Sequence, residues 1–145
     1  MIIDAKTVHI LLVEDNPADV YLLRRALSKA GVNFELKIFD DGAEALEFTR
    51  HQTKLSPKDH DNFDLVVLDL NLPSNGGIEV LAAIRQNEIL ADIPVVVLTS
   101  SAASLERSQV EQLNISRFIT KPPDLVDFLQ IGNVLKELLS EKVKE

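Results

Sequence analysis

Short runs suited to strands alternate with helical patterns five times along the chain. The predicted strands are Val8–Val13, Glu35–Phe39, Leu65–Leu68, Pro94–Leu98 and Arg117–Thr120. Continuous apolar runs such as LLV, LVVL and VVVL are typical of strands covered on both faces, as in a parallel sheet. Each predicted strand is followed by a segment with apolar residues three and four positions apart, which predicts a helix. Five such units predict an α/β fold, doubly wound, with helices on both faces of a parallel sheet.

The first helix has clear end signals. Asn16 is a predicted N-cap, Pro17 occupies the first helical position, and Asp19 stands where the acid of a capping box would. Gly31 predicts the end of this helix. Later helices are predicted near Ala43–Gln52, around Ile78, Leu81 and Ile84, up to about Leu113, and after Pro123.

The last predicted helix carries more apolar residues than one core-facing stripe requires. They are Leu125, Phe128, Leu129, Leu135, Leu138 and Leu139. Packing of this helix on the chain's own sheet is the default interpretation, and a partner or dimer surface is the alternative for the surplus.

Composition narrows the class of protein. The 145 residues have a formal net charge of −8, which disfavours nonspecific binding to nucleic acid or to anionic lipid. The absence of cysteine excludes disulfides and thiolate metal sites, and no apolar run is long enough for a membrane span or signal peptide. We therefore expect a cytoplasmic single domain over 1–145, with its core at about 7–140 and a charged tail at 141–145.

Reactive side chains follow four of the five predicted strands. Glu14 and Asp15 follow the first, Asp69 the third, Thr99 the fourth and Lys121 the fifth. In an open parallel sheet, ligands bind outside the carboxyl ends of the strands. If the first and third strands are neighbours, three carboxylates converge there and require a compensating positive charge.

Mg²⁺ and the Lys121 ammonium would both supply that charge. Mg²⁺ prefers oxygen ligands and binds one or two carboxylates together with water and phosphate oxygens. Asp69 could then act as a nucleophile on a phosphoryl donor and form an acyl phosphate. Lys121 and the Thr99 hydroxyl would stabilise the phosphoryl oxygens.

This set of residues resembles the signature of response-regulator receiver domains of two-component signalling. The matching residues are Glu14-Asp15, Asp69, Thr99 and Lys121-Pro122, and the resemblance covers essentially the whole chain. It implies a flavodoxin-like sheet with strand order 2-1-3-4-5. It also implies that Asp69 is the phosphoacceptor, and that Glu14, Asp15, Asp69 and the backbone carbonyl of Asn71 hold Mg²⁺.

The same resemblance implies a conformational switch. Lys121 would contact the phosphoryl group, Thr99 would move toward it, and Phe118 would be the aromatic switch residue. The Lys121–Pro122 peptide bond would be cis. The surface formed by the fourth helix, fifth strand and fifth helix would then change and signal through protein contacts. The chain would have only self-phosphorylation and slow self-dephosphorylation activity.

Several segments are most similar to single-domain regulators paired with phytochromes. They are LLVEDNPADVYLLRRAL, LDLNLPSNGG, IPVVVLTSS and the long connection Thr53–Phe63. The implied partner is a sensor histidine kinase of the phytochrome type, and a homodimer through the C-terminal part is a further expectation. Two departures from the family pattern are Asn114-Ile115 in place of Gly-Ala, and Asn75-Gly76-Gly77 in place of Met-Asp-Gly. An asparagine tolerates the left-handed conformation that glycine would supply.

Two other functions remain as alternatives. A Mg²⁺-dependent phosphohydrolase of the haloacid-dehalogenase type also uses a strand-end aspartate, but needs an acid where Asn71 stands. A flavin or nucleotide carrier of the same layered shape would need a glycine-rich phosphate loop, which the sequence lacks.

Other polar residues carry weaker signals. Asn71 and Ser101 either border the path of a hydrolytic water or are ordinary loop residues. His9, His51 and His60 have no ligand spacing and are interpreted as surface or structural residues.

Overall fold

The chain folds into a five-stranded parallel sheet with helices on both faces. The computed structural model describes residues 6–52, 63–72, 76–100 and 104–143. Its elements are β1 (Val8–Val13), α1 (Pro17–Lys29), β2 (Phe34–Phe39), α2 (Gly42–Arg50), β3 (Leu65–Leu68), α3 (Gly77–Gln86), β4 (Val95–Thr99), α4 (Ser104–Glu111), β5 (Arg117–Thr120), α5 (Leu125–Leu129) and α6 (Ile131–Val143). The strand order is β2-β1-β3-β4-β5, and every neighbouring pair is parallel. The predicted fold class and strand order are confirmed.

Alternate residues of the central strands enter two separate cores. Leu11 and Val13 of β1 belong to the core beneath α2 and α3, whereas Ile10 and Leu12 belong to the core beneath α1 and α6. Successive side chains of a strand point to opposite faces of the sheet. A strand with helices on both faces therefore needs apolar residues at consecutive positions, which explains runs such as LVVL in β3.

The N-terminus of α1 lies at the carboxyl edge of the sheet and is capped as predicted by Asn16. Its side-chain oxygen accepts a hydrogen bond from the backbone N–H of Ala18 at 2.9 Å. The predicted capping box is wrong, because the backbone N–H of Asn16 donates to Glu14 Oε2 at 3.1 Å instead of to Asp19. Gly31 has φ of +81° just beyond the end of α1, as its predicted role as a stop requires.

The single C-terminal helix predicted from the sequence is two helices. The backbone hydrogen bonds between α5 and α6 are of the 3₁₀ type, with each N–H donating to the carbonyl three residues back. The Gln130 N–H donates to the Asp127 carbonyl, and the Asn133 N–H donates to the Gln130 carbonyl. The hydrophobic pattern continues across this break, so the pattern alone does not predict it. α6 also approaches α1 very closely, since a side chain at Gly132 would collide with the backbone carbonyl of Ala26.

The surplus apolar residues near the C-terminus divide between core and surface. Phe128, Leu135 and Leu139 are buried in the core beneath α1. Leu125 is 55% exposed and its neighbour Val126 is 63% exposed. Part of the apolar surplus therefore lies on the surface at α5.

The Lys121–Pro122 bond is trans, so the predicted cis bond is wrong. The trans isomer is favoured for most bonds that precede proline, and the Lys121 side chain reaches its acidic partners without the cis form. Asn114 has φ of +65°, which confirms that it adopts the left-handed conformation.

Some sequence predictions fall outside the described residues. Positions 53–62 of the long connection, including His60, lie outside them, as do Asn75 and Ser101. Among the residues that are described, no helix is long and apolar enough to cross a bilayer.

Candidate functional site

The predicted site residues meet at the carboxyl edge of the sheet. Val13 of β1 is paired with Leu68 of β3, so the residues that follow them, Glu14 and Asp69, leave neighbouring strands side by side. Thr99 is the last residue of β4, and Lys121 follows β5 directly. The strand order thus brings together residues that are more than 100 positions apart in sequence.

Three carboxylates form a compact acidic group at this edge. Glu14, Asp15 and Asp69 each offer an oxygen atom, and these oxygens lie within 4.8 Å of one another. Glu14 and Asp69 are only 3% and 4% exposed, whereas Asp15 is exposed. Hard cations such as Mg²⁺ prefer an all-oxygen donor set of this kind, so these residues fit a divalent cation.

The Lys121 ammonium lies at the centre of a carboxylate cluster. Its Nζ atom is 2.7 Å from Glu14 Oε1, 2.8 Å from Asp19 Oδ2 and 2.9 Å from Asp69 Oδ2. The side chain is largely buried, so these contacts are weakly screened by solvent. Lys121 supplies a positive charge where the sequence predicted one.

Burial changes the acidity of this cluster. Desolvation raises the pKa of Glu14 from 4.5 to about 7, against the opposing effect of its hydrogen bond from Lys121. Burial lowers the pKa of the Lys121 ammonium, but hydrogen bonds to Asp19, Glu14 and Asp69 outweigh burial and raise that pKa overall. Lys121 therefore stays charged, and ionisation of Glu14 is opposed by its burial.

The loop after β3 fixes the Asp69 carboxylate. The backbone N–H of Asn71 donates to Asp69 Oδ1 at 2.9 Å, while the Lys121 ammonium donates to Oδ2. The start of α3 packs directly beneath this loop, where the Gly77 N–H donates to the Leu70 carbonyl at 3.2 Å. Both carboxylate oxygens are thus oriented by contacts with the protein.

Thr99 is fully buried within reach of the same loop. The side-chain amide of Asn71 donates to Thr99 Oγ1 at 3.3 Å. Asn71 therefore contacts Asp69 through its backbone and Thr99 through its side chain. This double contact connects the predicted phosphoacceptor to the predicted switch residue.

Phe118 lies near the start of β5, half-buried against the core beneath α2 and α3. The guanidinium carbon of Arg107 in α4 is 5.0 Å from the centre of its ring, a cation–π distance. The ring therefore connects β5 with α4, the two elements that a switch at this position would need to couple.

Sequence reasoning did not identify Asp19 as part of the site. Its position in the first turn of α1 was explained by a capping box, although the same turn begins at the carboxyl edge of the sheet. An acid there could have been recognised as a fourth carboxylate near the predicted lysine. Neither His9 nor His51 belongs to the acidic group: His9 Nδ1 lies 3.4 Å from Glu35 Oε2, and His51 Nδ1 lies 2.7 Å from the Glu47 carbonyl.

Comparisons with known proteins agree with this geometry. A family model described as "Response regulator receiver domain" matches residues 10–132. The response regulator Rcp1 of Synechocystis is 37% identical over 92% of this chain and 90% of its own length.

Solved structures give the same result. The structure of the phosphorylated cyanobacterial phytochrome response regulator RcpA superposes with a TM-score of 0.82 at 35% identity, covering 94% of this chain and 96% of the other. The Mn²⁺-bound form of Rcp1 gives a TM-score of 0.77 at 36% identity, over 89% and 91% of the two chains. The chain therefore belongs to the response regulator receiver family of two-component signalling, whose members are phosphoacceptor switches and not classical enzymes.

Proposed function

We propose that this chain accepts a phosphoryl group on Asp69 from a partner histidine kinase, in a Mg²⁺-dependent reaction, and signals through a changed surface. The observation that carries the proposal is the environment of the Asp69 carboxylate. It lies 2.9 Å from the Lys121 ammonium and shares an acidic group with Glu14 and Asp15. An anionic nucleophile beside an ammonium and a cation-binding set is suited to phosphoryl transfer.

Glu14, Asp15, Asp69 and the backbone carbonyl of Asn71 would hold the metal ion. Bound there, Mg²⁺ would neutralise negative charge on the nucleophile and on the phosphoryl oxygens. The oxygen donors of the acidic group and the Mn²⁺-bound form of the relative Rcp1 support this assignment.

In the transfer step, an oxygen of the Asp69 carboxylate forms a bond to phosphorus while the bond from phosphorus to the kinase imidazole nitrogen breaks. The electron pair of the broken bond stays on the imidazole nitrogen, and an imidazole that leaves as the anion takes a proton from solvent. Lys121 stabilises the charge on the moving phosphoryl oxygens, and the Thr99 hydroxyl donates to one of them. A carboxylate needs no general base for this attack, so the chain requires no further catalytic group.

Phosphorylation then reorganises the contacts of Thr99. The phosphoryl group adds strong acceptor oxygens next to a buried hydroxyl that has Asn71 as a partner in this state. Thr99 moves toward the new acceptor, Phe118 follows, and the surface of α4, β5 and the α5–α6 pair changes. The phosphoryl group is later lost by slow self-dephosphorylation.

The proposed partner is a sensor histidine kinase of the phytochrome type. Similarity to RcpA, described as a phytochrome response regulator, supports this class. The exposed Leu125 and Val126 support a homodimer through the C-terminal part, and the net charge of −8 disfavours direct binding to nucleic acid. We place the protein in the cytoplasm, where such kinases present their phosphohistidine.

The proposal is tested with acetyl phosphate and Mg²⁺ on the wild type, Asp69→Asn and Asp40→Asn. Asp40 is an exposed acid that follows β2, so its replacement is a matched control for lost charge at this edge. We expect intact-mass spectra to show one added phosphoryl group on the wild type and on Asp40→Asn, and none on Asp69→Asn.

Labelling of Asp69→Asn to the same extent as the wild type, or labelling that does not need Mg²⁺, would contradict the proposal. Size-exclusion chromatography of the beryllofluoride-treated protein tests the dimer. Unchanged mobility at all protein concentrations would contradict dimerisation on activation.

A further inference from the structure

Asp19 is the Lys121 partner that the proposed metal site does not use. Its Oδ2 atom lies 2.8 Å from Lys121 Nζ, and the side chain is mostly buried at the start of α1. The acids close enough together to share a cation are Glu14, Asp15 and Asp69, within the part of the chain that the structure describes. Asp19 is outside that group and contacts the ammonium from another side.

The three contacts of Lys121 use all of its hydrogen-bond donors. A lysine ammonium has three N–H groups and no acceptor, and here Glu14, Asp19 and Asp69 each take one. A divalent cation on Glu14 and Asp69 would draw the charge of these two carboxylates away from Lys121. The cation and the ammonium would also repel each other, and Asp19 is the remaining partner able to hold the ammonium in place.

We propose that Asp19 is a positioning residue that retains Lys121 at the rim of the site while a metal ion occupies Glu14 and Asp69. It thereby reduces the electrostatic cost of placing a divalent cation beside an ammonium group. This inference rests on the proposed function and adds to it a residue beyond those that the family resemblance assigns. It gives α1 a role in metal loading in addition to its role in packing.

The charge balance of the cluster fixes the direction of the effect. Glu14, Asp15, Asp19 and Asp69 face a single ammonium, so the fully ionised cluster has a formal charge of −3. Replacing Asp19 by asparagine keeps a similar shape and removes one of these charges. We expect the affinity for Mg²⁺ to fall by roughly three- to tenfold, because Lys121 then competes more strongly for the same carboxylates.

The first measurement is made without metal. The rate of Lys121 acylation by a water-soluble acetylating reagent is followed by peptide mass mapping, with the exposed Lys136 as the internal reference. Loss of one of three carboxylate partners leaves the Lys121 side chain less tightly held and less shielded from the reagent. We therefore expect Lys121 to react about threefold faster or more in Asp19→Asn, and at the wild-type rate in Asp40→Asn.

The second measurement is the binding of Mg²⁺ alone by isothermal titration calorimetry. We expect weaker binding by Asp19→Asn, near wild-type binding by Asp40→Asn, and a partial return toward wild type in Asp19→Glu. Far-ultraviolet circular dichroism and thermal unfolding confirm that each variant is folded. If Asp19→Asn is unfolded, Asp19→Glu still tests the inference. Its longer side chain keeps the negative charge but changes the position of the carboxylate relative to Lys121 Nζ.

Two results would overturn the inference. One is an unchanged Lys121 reactivity in Asp19→Asn, and the other is equal loss of Mg²⁺ affinity in Asp19→Asn and Asp40→Asn, which would show a general charge effect. Failure of acetyl phosphate to label the wild type would instead overturn the proposed function. Lysine reactivity in the metal-free protein would still decide whether Asp19 holds Lys121.

Discussion

Gly77, the first residue of α3, lies directly against the backbone carbonyl of Asp69. A Cβ atom built at Gly77 would be 2.5 Å from that carbonyl oxygen and 2.6 Å from Leu70 Cα. Real Cβ atoms do not approach backbone atoms so closely, so a side chain here must displace the loop that carries Asp69. The neighbouring Gly76 has open space at the corresponding position.

This contrast gives a matched pair of substitutions. We expect Gly77→Ala to destabilise the protein by about 1–3 kcal/mol, the usual cost of overpacking, and to slow the labelling of Asp69 by acetyl phosphate. Gly76→Ala should change the free energy of unfolding by no more than about 0.5 kcal/mol. Urea unfolding and intact-mass kinetics measure the two effects. Equal unfolding free energies and equal labelling rates for the two variants would show that the loop moves aside without an energetic cost.

Lys121→Met should separate the structural role of the ammonium from the binding of metal. Without Lys121, the buried Glu14 and Asp69 lose their neutralising partner, and we expect the metal-free protein to lose about 3–5 kcal/mol of stability. Mg²⁺ should bind the variant more tightly than the wild type and restore part of this loss. Lys136→Met, at an exposed position of α6, is the control and should show neither change.

Thermal unfolding with and without Mg²⁺ tests this prediction. A variant that is destabilised to the same extent at saturating Mg²⁺ would contradict the idea that the ammonium and the metal compete for the same carboxylates.

Mg²⁺ binding should depend on pH through Glu14. Desolvation raises its pKa from 4.5 to about 7, so the folded protein retains a proton that the unfolded chain releases. In the metal-free protein, this contribution to stability is fully present below pH 4.5 and is lost as the pH rises through about 7. Metal binding requires the ionised form and therefore has the opposite pH dependence.

We expect the affinity for Mg²⁺ to be about tenfold higher at pH 8 than at pH 6, as proton competition at one site with this pKa requires. Calorimetric titrations at the two pH values measure the ratio. Glu14→Gln should bind Mg²⁺ more weakly at pH 8 and should lose most of the pH dependence. A ratio near one for the wild type would contradict the prediction.

Arg85 stabilises two loops through backbone carbonyls. From the end of α3, its guanidinium donates at 2.8–2.9 Å to the carbonyls of Ala91 and Ile93 before β4, and of Leu113 and Asn114 before β5. We expect Arg85→Met to cost about 2–4 kcal/mol, because several partly buried carbonyls lose their partner. Arg85→Lys should recover only part of this, since an ammonium cannot match the planar fork.

The control is Arg24→Met, which removes an exposed arginine from α1 and should change stability by less than about 0.5 kcal/mol. Urea unfolding measures all three variants. A loss in Arg85→Met no larger than that in the control would refute the stabilising role.

The sequence placed all five strands to within one residue. β1, β3 and β5 begin and end at the predicted residues, whereas β4 is Val95–Thr99 and not the predicted Pro94–Leu98. Pro94 has no backbone N–H for the ladder, and Thr99 is paired with Thr120 of β5. β2, at the edge of the sheet, begins one residue before its predicted start. The convergence of Glu14, Asp69 and Lys121 followed from the rule that parallel strands end at one edge.

Other features depend on contacts that local patterns do not encode. Asp19 satisfied the rule for a capping box, yet its carboxylate bonds Lys121, which lies 102 positions away. The break between α5 and α6 leaves the apolar periodicity intact, so the periodicity does not predict it. The trans bond before Pro122 was missed because the family resemblance outweighed the ordinary preference for trans.

The contact of Gly132 with Ala26 makes the two flanks of the sheet mechanically unequal. At the Gly132–Ala26 contact the two helices meet backbone against backbone, so no side chain can adjust at this point and the helices form a stiff base on one flank. On the other flank, among the side chains of α4 that the structure describes, Val110 is buried, while Arg107, Ser108, Gln109 and Glu111 are exposed. Under the proposed function, a displacement that began at Thr99 would meet less resistance toward α4, and this flank would carry the motion outward.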